Sequence, residues 1–366
     1  MLKQFKIFSI LLNPNRVGFI TVSKTSIKAI YSSVPKNKVY TKDYEWVSRE
    51  EREMFAKTTG ILERRVANEN ITCSDLCFQA ASELIQDLDL NNQIDLLVFV
   101  SQSPDYFLPS TSVVLQERLG LPKTTIAFDI NLGCSGYVYG LSIVGQFMQS
   151  GNIKNALLLC GDKSTISTNY QDKSTYPLFG DAGTATLISR DEDADDWIAE
   201  LNSDGSGKNA IIIEQGHSRH PYGTTSDELI EFEPGVIRTK KHLALNGMEV
   251  FNFALKEVAP SINKLLNENA INIDEIDYFV FHQANKLINE SIRKKMKVSP
   301  EKVPYSIDLY GNTSSASIPL TICLKLRDFI AGKKLRLLFS GFGVGFSWGT
   351  LVLTTQGVKT KMIEYD

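Results

Sequence analysis

Short apolar runs typical of buried strands alternate along this chain with longer segments of helical periodicity. In the first half, the candidate helices lie at residues 72–88, 111–119 and 135–149, and the candidate strands at 94–100, 124–130, 156–159 and 184–188. In the second half, the candidate helices lie at 247–267, 287–297 and 315–330, and the candidate strands at 277–282, 335–340 and 348–354. This alternation predicts an α/β fold built on parallel sheets.

The two halves resemble each other in the order of their elements, which indicates an internal duplication. The 366 residues are enough for one large or two ordinary domains with a full core. An acidic stretch at 191–196 (DEDADD) lies between the halves and predicts a solvated turn. Residues 216–242 are rich in glycine, histidine and charge without periodicity, which predicts a long loop of the kind that borders enzyme sites.

Composition limits the class of protein. With 43% hydrophobic and 22% charged residues the chain is typical of globular proteins, and its net charge of −3 argues against nucleic acid as the main partner. No apolar run approaches the length of a membrane span, and the apolar stretch within residues 1–12 is too short for a signal peptide. We expect an N-terminal strand or a poorly ordered extension there.

The five cysteines are an odd number scattered through apolar or helical contexts, which indicates a reduced, cytoplasmic protein rather than a disulfide framework. Cys73 and Cys77 are spaced so that they share one helix face. Because no second pair of ligands follows them, we expect a buried helix face there and no metal site.

Cys134 follows a candidate strand and precedes a candidate helix, within DINLGCSGYVYGL. The dipole and free N–H groups at the N-terminus of a helix lower the pKa of a thiol, and the thiolate is the nucleophile. The small neighbours Gly133, Ser135 and Gly136 allow a tight turn, and the N–H group of Cys134 can bind an oxyanion. The alternative is a buried structural cysteine.

Two later residues complete a candidate site. His282 ends the strand at 277–282, within FHQAN, and a neutral imidazole there can donate a hydrogen bond to a carbonyl that becomes an enolate. Asn312 lies in YGNTS, and its amide can polarise a carbonyl without carrying a proton. The alternatives are a core histidine and a turn asparagine. A cysteine, a histidine and an asparagine at strand-to-loop junctions together predict an acyl-transfer site.

The glycine-rich run at 341–345 (GFGVG) resembles a dinucleotide-binding loop only in part. It follows a strand, but the next segment is strand-like, whereas the phosphate-binding fingerprint needs the N-terminus of a helix. We expect instead a tight turn whose backbone N–H groups bind a thioester oxygen.

A series of stretches resembles the β-ketoacyl-[acyl-carrier-protein] synthase III family of the thiolase superfamily. They run in family order over residues 26–356, and the most specific are FDINLGCSGYVYGL (128–141), FHQAN (281–285) and YGNTSSASIP (310–319). The resemblance implies an α/β thiolase fold of five layers, α-β-α-β-α, from two similar halves at 26–190 and 191–366, in a homodimer. Residues 1–25 lie upstream of the family core and have no assigned role.

The resemblance also implies a reaction in fatty-acid or specialised fatty-acid and polyketide-type biosynthesis. Cys134 takes an acyl group from a thioester donor, and malonyl-acyl carrier protein then loses carbon dioxide. His282 and Asn312 stabilise the resulting enolate, which attacks the acyl-Cys134 thioester to give a 3-oxoacyl thioester. The N–H groups of Cys134 and Val344 form the oxyanion hole, and neither a metal nor another cofactor takes part.

Two other functions compete with this one. The first is a non-decarboxylating acyltransferase that moves an acyl group to an alcohol or an amine. The second is a catalytically silent partner that only binds carrier protein. The presence of Cys134, His282 and Asn312 together argues against both.

The sequence departs from the family at positions that bind the acyl donor. Where the family clamps coenzyme A with a Trp and an Arg, this chain has Met54 and Thr58, and a second Arg is replaced by Ser167. We therefore expect a carrier-bound acyl donor, or coenzyme A bound differently. In the family, an aromatic residue reaches across the dimer interface and forms the floor of the partner's acyl pocket. Leu108 occupies that position in this chain, with Phe107 beside it.

The helix after His282 is rich in cations. Carrier proteins are acidic, so the family context favours a docking face here, whereas the charges alone also suit a solvated helix. The docking candidates are Lys286, Arg293, Lys294, Lys295 and Lys297, with Arg64 and Arg65 as weaker ones.

Overall fold

The computed structural model describes residues 18–366, so the expectation for residues 1–12 lies outside the described part of the chain. The strands of this part, numbered β1 to β17 in chain order, are Phe19–Val22, Thr25–Pro35, Lys38–Tyr40, Glu63–Arg65, Leu96–Val100, Ile126–Ile130, Asn155–Asp162, Ala182–Arg190, Trp197–Ser203, Ile211–Ile213, Ile230–Glu233, Val236–Arg238, Leu243–Leu245, Tyr278–Phe281, Leu335–Gly343, Ser347–Thr355 and Lys359–Tyr365. The α-helices, numbered α1 to α10, are Arg49–Thr59, Cys73–Asp87, Thr111–Arg118, Gly136–Met148, Gly247–Phe253, Ala259–Glu268, Lys286–Lys295, Ile307–Tyr310, Ser317–Lys325 and Arg327–Gly332.

Two large sheets organise most of these strands. One has the strand order β17-β2-β8-β7-β5-β6, and the other has the order β1-β9-β16-β15-β14. Parallel pairing joins β5 to β6 and to β7, β17 to β2, and β14 to β15, while the remaining pairs in both sheets are antiparallel. The prediction of parallel sheets is therefore right only for these four pairs of strands. β1, which lies within the predicted N-terminal extension, is an edge strand of the second sheet.

The helices form three layers around the two sheets. α4 and α9 lie between the sheets, where Leu141 and Ile322 join a core shared by both. α2 and α3 cover the outer face of the six-stranded sheet, and α6 and α7 cover the outer face of the five-stranded sheet. This α-β-α-β-α order confirms the predicted five-layered fold.

Glycines let the central helix α4 approach its sheet closely. A Cβ atom added to Gly136 would lie 2.5 Å from the side chain of Val100, and one added to Gly140 would lie 2.8 Å from that of Leu158. Interior packing leaves no room for such atoms. The close approach brings the N-terminal end of α4, and Cys134 just before it, to the carboxyl end of the neighbouring strand β5.

Three predicted segments differ from the structure. The helix expected at 247–267 contains a π-helical turn, Ala254–Val258, between α5 and α6; Pro260, which lacks an N–H group, follows at the start of α6. The helix expected at 315–330 is divided into α9 and α10. The loop expected at 216–242 contains the antiparallel pair β11 and β12, whose strands are only four and three residues long.

Candidate active site

Cys134 lies in the turn between β6 and α4, with 8% of its surface exposed. The end of β15 packs directly against it. A Cβ atom added to Gly343 would lie 2.6 Å from the Cβ atom of Cys134 and 2.9 Å from its Sγ atom. Glycine at this position therefore allows the strand to pass beside the sulfur, and this accounts for one glycine of the run at 341–345.

The expected low pKa of the Cys134 thiol is wrong for this structure. Burial, followed by the negative charge of Asp162, raises the pKa to about 12. The Ser314 hydroxyl and the N–H groups of Val344 and Cys134 act in the opposite direction but do not outweigh burial. Desolvation of the thiolate thus dominates over the local dipoles that the sequence pattern predicts.

His282 follows β14 and has 1% of its surface exposed. Its N–H group donates to the Ser340 carbonyl, and its Nδ1 atom lies 2.8 Å from the Ser317 hydroxyl. That hydroxyl accepts from the N–H group of Gln283 at 3.3 Å and can donate its own proton to Nδ1, an arrangement that leaves the imidazole proton on Nε2. Burial lowers the pKa of His282 to about 3, which keeps the ring neutral.

Asn312 is fixed by its backbone and by its amide oxygen. Its N–H group donates to the Leu178 carbonyl at 2.9 Å, and its own carbonyl accepts from Gly180 at 3.0 Å. The Oδ1 atom accepts from the N–H group of Ser314 at 2.9 Å. Because the amide oxygen is already engaged, the NH2 group is what Asn312 can offer to a ligand.

One cavity of about 130 Å³ brings the three residues together: Cys134, His282 and Asn312 all line it. Much of its apolar lining comes from the two-stranded ribbon β10–β13 and from α5. These apolar lining residues are Ile211, Ile213, Leu243, Leu245 and Val250. The predicted site residues thus meet in a space whose lining is partly polar and reactive and partly apolar.

Val344, in the turn between β15 and β16, also lines this cavity. Its N–H group and that of Cys134 both act to lower the pKa of the Cys134 thiol. Its carbonyl accepts from the Ser347 hydroxyl at 2.8 Å, and the hydroxyls of Ser347 and Ser135 lie 2.7 Å apart. An oxyanion hole formed by the N–H groups of Cys134 and Val344 stays a prediction.

Sequence reasoning missed three polar residues of the site: Asp162, Ser314 and Ser317. Asp162 ends β7, is 2% exposed and lines the cavity with Ser314. An acid directly after the apolar run LLLCG, and a serine cluster directly after Asn312, were the available signals. Neither pattern shows by itself that the two segments meet beside a cysteine.

The predicted acyl-pocket residues do not line the cavity of the single chain. Phe107 and Leu108 are 71% and 86% exposed, and the Phe107 ring contacts His217 edge-on at 4.8 Å. Tyr106 beside them is also exposed. A role in the pocket stays a prediction that requires a second subunit.

The predicted docking residues differ in how exposed their side chains are. Lys286, Lys294 and Lys297 are exposed on or just after α7, as is Lys295, whose Nζ atom donates to the Leu255 carbonyl at 2.6 Å. Arg293 is instead engaged within the protein, because its side chain is 12% exposed and pairs with Glu290 at 2.7 Å.

Two further corrections concern Arg64 and Arg65, which are buried and therefore wrong as docking residues. Arg64 donates to the Phe179 carbonyl and stacks on Tyr176, while Arg65 donates to the Pro35 carbonyl.

Positions that depart from the family flank the cavity. Met54 and Thr58 are exposed on α1, which packs beside α7, and Ser167 lines the cavity itself. Lys173 reaches α1 through an ion pair with Glu51 at 3.0 Å.

Cys73 and Cys77 are buried on α2, which confirms the predicted buried helix face. Within residues 18–366, no His, Cys, Asp and Glu side chains gather in threes or more as a set of metal ligands. In the same residues, no helix combines the length and apolarity needed to cross a bilayer.

Two stacked sheets around central helices, with a cysteine, a histidine and an asparagine facing one cavity, define a thiolase-fold enzyme site. The sequence family described as "3-oxoacyl-[acyl-carrier-protein (ACP)] synthase III" matches residues 128–205 of this chain. The family that describes the C-terminal part of the same enzymes matches residues 266–355.

Similar proteins extend this match to most of the chain. A β-ketoacyl-[acyl-carrier-protein] synthase III of Clostridium acetobutylicum is 35% identical over 324 residues, covering 88% of this chain and 96% of that protein. One of Clostridioides difficile is 33% identical over 332 residues, covering 90% and 98%. A 3-oxoacyl-(acyl-carrier protein) synthase structure from Burkholderia xenovorans superposes with a TM-score of 0.89 at 35% identity, covering 95% and 99%. The chain belongs to the 3-oxoacyl-[acyl-carrier-protein] synthase III family.

Proposed function

We propose that this protein is an acyltransferase that condenses an acyl group carried on Cys134 with malonyl-acyl carrier protein, releasing carbon dioxide and forming a 3-oxoacyl thioester. The observation that carries the proposal is the shared cavity, in which a thiol faces two neutral hydrogen-bond donors. Loss of carbon dioxide from malonyl needs the thioester carbonyl to hold negative charge. The Nε2–H group of His282 and the amide of Asn312 are donors of this kind.

The neutrality of His282 favours decarboxylation over deprotonation of an acceptor alcohol or amine. Its pKa of about 3 makes it a poor base at neutral pH, while its Nε2–H group still donates. Transfer to an alcohol or an amine requires a base for the incoming nucleophile. The condensing reaction therefore fits the site better than the alternative acyltransferase.

The substrates reach the cavity as thioesters, and the carrier protein docks on α7. Its exposed lysines, Lys286, Lys294 and Lys295, lie on the helix that begins four residues after His282. An acidic carrier is attracted to such a surface. With Met54 and Thr58 exposed on the adjacent α1, in place of the family's coenzyme A clamp, we propose that the acyl donor is also carrier-bound.

The protein is a cytoplasmic homodimer in this proposal. The five cysteines are free and buried, which suits a reducing compartment. β6 is an edge strand of the six-stranded sheet, with Ile126 44% exposed. An apolar edge strand is normally covered, because it otherwise pairs with other chains. Pairing there would cover the exposed Phe107 and Leu108 and complete the acyl pocket.

Intact-mass measurement tests the donor and the nucleophile together. The protein is incubated with acyl-coenzyme A and acyl-carrier-protein donors of several chain lengths, and with Cys134→Ala as the paired variant. We expect a stable acyl adduct from carrier-bound donors, absent in Cys134→Ala, and carbon dioxide release when malonyl-acyl carrier protein follows.

Three results would change the proposal. An adduct in Cys134→Ala would refute the nucleophile. Acyl loading followed by transfer to an alcohol or an amine, without carbon dioxide release, would establish the alternative reaction. Efficient loading from coenzyme A donors would overturn the carrier-bound donor but leave the condensation intact.

A further inference from the structure

Asp162 places a carboxyl group in the wall of the reactive cavity, although no step of the proposed reaction uses it. It ends β7, is 2% exposed, and lines the cavity together with Cys134 and Asn312. A buried carboxylate is costly unless hydrogen-bond donors surround it. Its negative charge also opposes the thiolate and the enolate that the reaction would form. A group with these two disadvantages needs another role in the site.

Each oxygen of Asp162 holds a different segment of the chain. The Oδ1 atom accepts from the N–H group of Gln102 at 2.7 Å and from the Ser101 hydroxyl at 3.2 Å, directly after β5. The Oδ2 atom accepts from the N–H group and the hydroxyl of Ser315, at 3.2 and 2.8 Å. One carboxylate therefore ties the end of β5 to the turn that follows Asn312.

Ser314, the residue before this anchor, has a strained backbone. Its φ angle is +50°, in the left-handed region that non-glycine residues rarely adopt. Strain of this kind persists only where the surrounding structure enforces it. The two hydrogen bonds from Ser315 to Asp162 supply such a constraint, because they fix the chain immediately after the strained residue.

The conformation of Ser314 in turn determines where the Asn312 amide points. Backbone hydrogen bonds to Leu178 and Gly180 fix the main chain of Asn312 but leave its side chain free to rotate. The N–H group of Ser314 holds the amide oxygen at 2.9 Å, which leaves the NH2 group for a ligand. The direction of that N–H group follows from the backbone of the strained turn.

We propose that Asp162 is a positioning residue for the decarboxylation step. By holding Ser315 it keeps Ser314 in its strained conformation, and the Ser314 N–H group then aims the amide of Asn312 at the enolate oxygen. The inference rests on the proposed role of Asn312 as a donor to the enolate. Asp162 itself touches no reacting atom, and no proton passes through it.

The surroundings of Asp162 suit an anchor of this kind. A backbone N–H group, which can only donate, faces each of its oxygens, and this favours the ionised carboxylate. Lys163, the next residue, donates its ammonium group instead to the carbonyls of Asn68, Glu69 and Ile71. Hydrogen bonds weaken steeply when they bend, so N–H and O–H donors fix the orientation of the segments that they join.

Two variants loosen the anchor, and a third is the matched control. Asp162→Asn replaces one acceptor oxygen by an NH2 group, which we expect to face Ser315, because the N–H group of Gln102 holds its oxygen at the shorter distance. Ser315→Ala removes one of the two donors to Oδ2 and keeps the charge. The control, Glu200→Gln, neutralises another buried carboxylate, which accepts from Ser261 at 2.8 Å outside the cavity lining.

Two half-reactions are measured for each protein: acyl loading of Cys134 from acetyl-acyl carrier protein and acetyl-coenzyme A, and carbon dioxide release from malonyl-acyl carrier protein by the loaded enzyme. We expect release to fall about 10- to 100-fold in Asp162→Asn and about threefold to tenfold in Ser315→Ala, without a fall in loading. Glu200→Gln should match the parent in both.

The direction of the effect separates position from charge and from misfolding. Removal of a negative charge beside the enolate would by itself speed carbon dioxide release, so slower release in Asp162→Asn reports a misplaced donor. Misfolding would lower loading and release together. A crystal structure of Asp162→Asn shows the anchor directly, and we expect Ser314 to leave the positive-φ region and the Asn312 amide to turn.

Three results would overturn the positioning role: release at the parental rate in Asp162→Asn, an equal fall of loading and release in that variant, or an unchanged Ser314 φ angle in its crystal structure. If the parent neither takes an acyl group nor releases carbon dioxide, the proposed function fails. The crystal structure, which needs no substrate, still decides in that case whether Asp162 orients Asn312.

Discussion

At the scale of single residues, the site separates two tasks that place opposite demands on charge. In the proposed reaction, Cys134 must lose a proton to attack, whereas His282 and Asn312 must stay neutral and donate to a developing enolate. The structure meets the second demand by burial, which holds the pKa of His282 at about 3, and by the Ser317 hydroxyl, which can donate to Nδ1 and leave the ring proton on Nε2.

His282→Ala and Asn312→Ala should uncouple the two half-reactions. We expect acyl loading of Cys134 to persist while carbon dioxide release falls about 10²- to 10³-fold, since each variant removes one donor to the enolate oxygen. In the parent, release should not change with pH between about pH 5 and 9, because His282 is neutral throughout that range. Release of labelled carbon dioxide from malonyl-acyl carrier protein measures this.

The control for both variants is His242→Ala, which removes a half-buried imidazole outside the cavity lining. If His282→Ala lowered acyl loading and carbon dioxide release equally, the assignment of His282 to the decarboxylation step alone would be wrong. A midpoint near pH 6 to 7 in the parent profile would show an ordinary, solvated histidine instead.

At the scale of elements, α7 would connect the proposed carrier-docking surface to the active site. Its N-cap Asn285 accepts from the N–H group of Ile288 at 2.8 Å, which starts the helix three residues after His282. Ile288 and Ile292 bury its inner face, so its cations lie on the outside or along its flank. Arg293 is neutralised by Glu290, and the free charge of the helix therefore lies in its lysines.

Charge reversal on α7 should weaken carrier recognition selectively. For Lys294→Glu we expect KM for malonyl-acyl carrier protein to rise about threefold to tenfold, with a smaller effect at high salt, because an attraction becomes a repulsion. Reaction with a small malonyl thioester should be unchanged. Lys325→Glu, at the exposed end of α9, is the matched control. An equal rise for both substrates, or for both variants, would exclude docking on α7.

At the scale of the whole molecule, the single chain leaves an apolar region uncovered next to its own site. The unpaired edge of β6 carries Ile126, and the loop beyond β5 exposes Tyr106, Phe107 and Leu108 in succession. The three consecutive exposed apolar side chains of this loop suit an interaction site. A second copy paired along β6 would cover it on both subunits by symmetry.

Ile126→Lys should disrupt this pairing, because it places a charge at the exposed start of the apolar edge strand. We expect light scattering after size exclusion to show a dimer for the parent and a monomer for the variant, with acyl loading reduced because the pocket lacks its floor. Leu229→Lys, an exposed apolar position in the loop after β10, is the control and should stay dimeric. A monomeric parent with full activity would refute the shared pocket.

Much of this arrangement can be read from the sequence, because its signals are local. Apolar runs and helical periods within a few residues of each other predict the order of strands and helices, and Cys134, His282 and Asn312 each lie at a recognisable junction. The predictions fail where the cause is a distant contact. Helical spacing alone places the Arg293 side chain within reach of Glu290. The burial of the Arg293 side chain, however, depends on Tyr305 and Val298, which lie outside α7.

The sequence by itself determined the fold class, the family and the three residues that face the cavity. Only the tertiary structure decided their protonation, because desolvation depends on every atom packed around a group rather than on its neighbours in the chain. It raised the pKa of the Cys134 thiol where the helix terminus alone predicts the reverse. It also brought Ser314 and Asp162, 152 positions apart in the sequence, into the lining of the same cavity as the nucleophile.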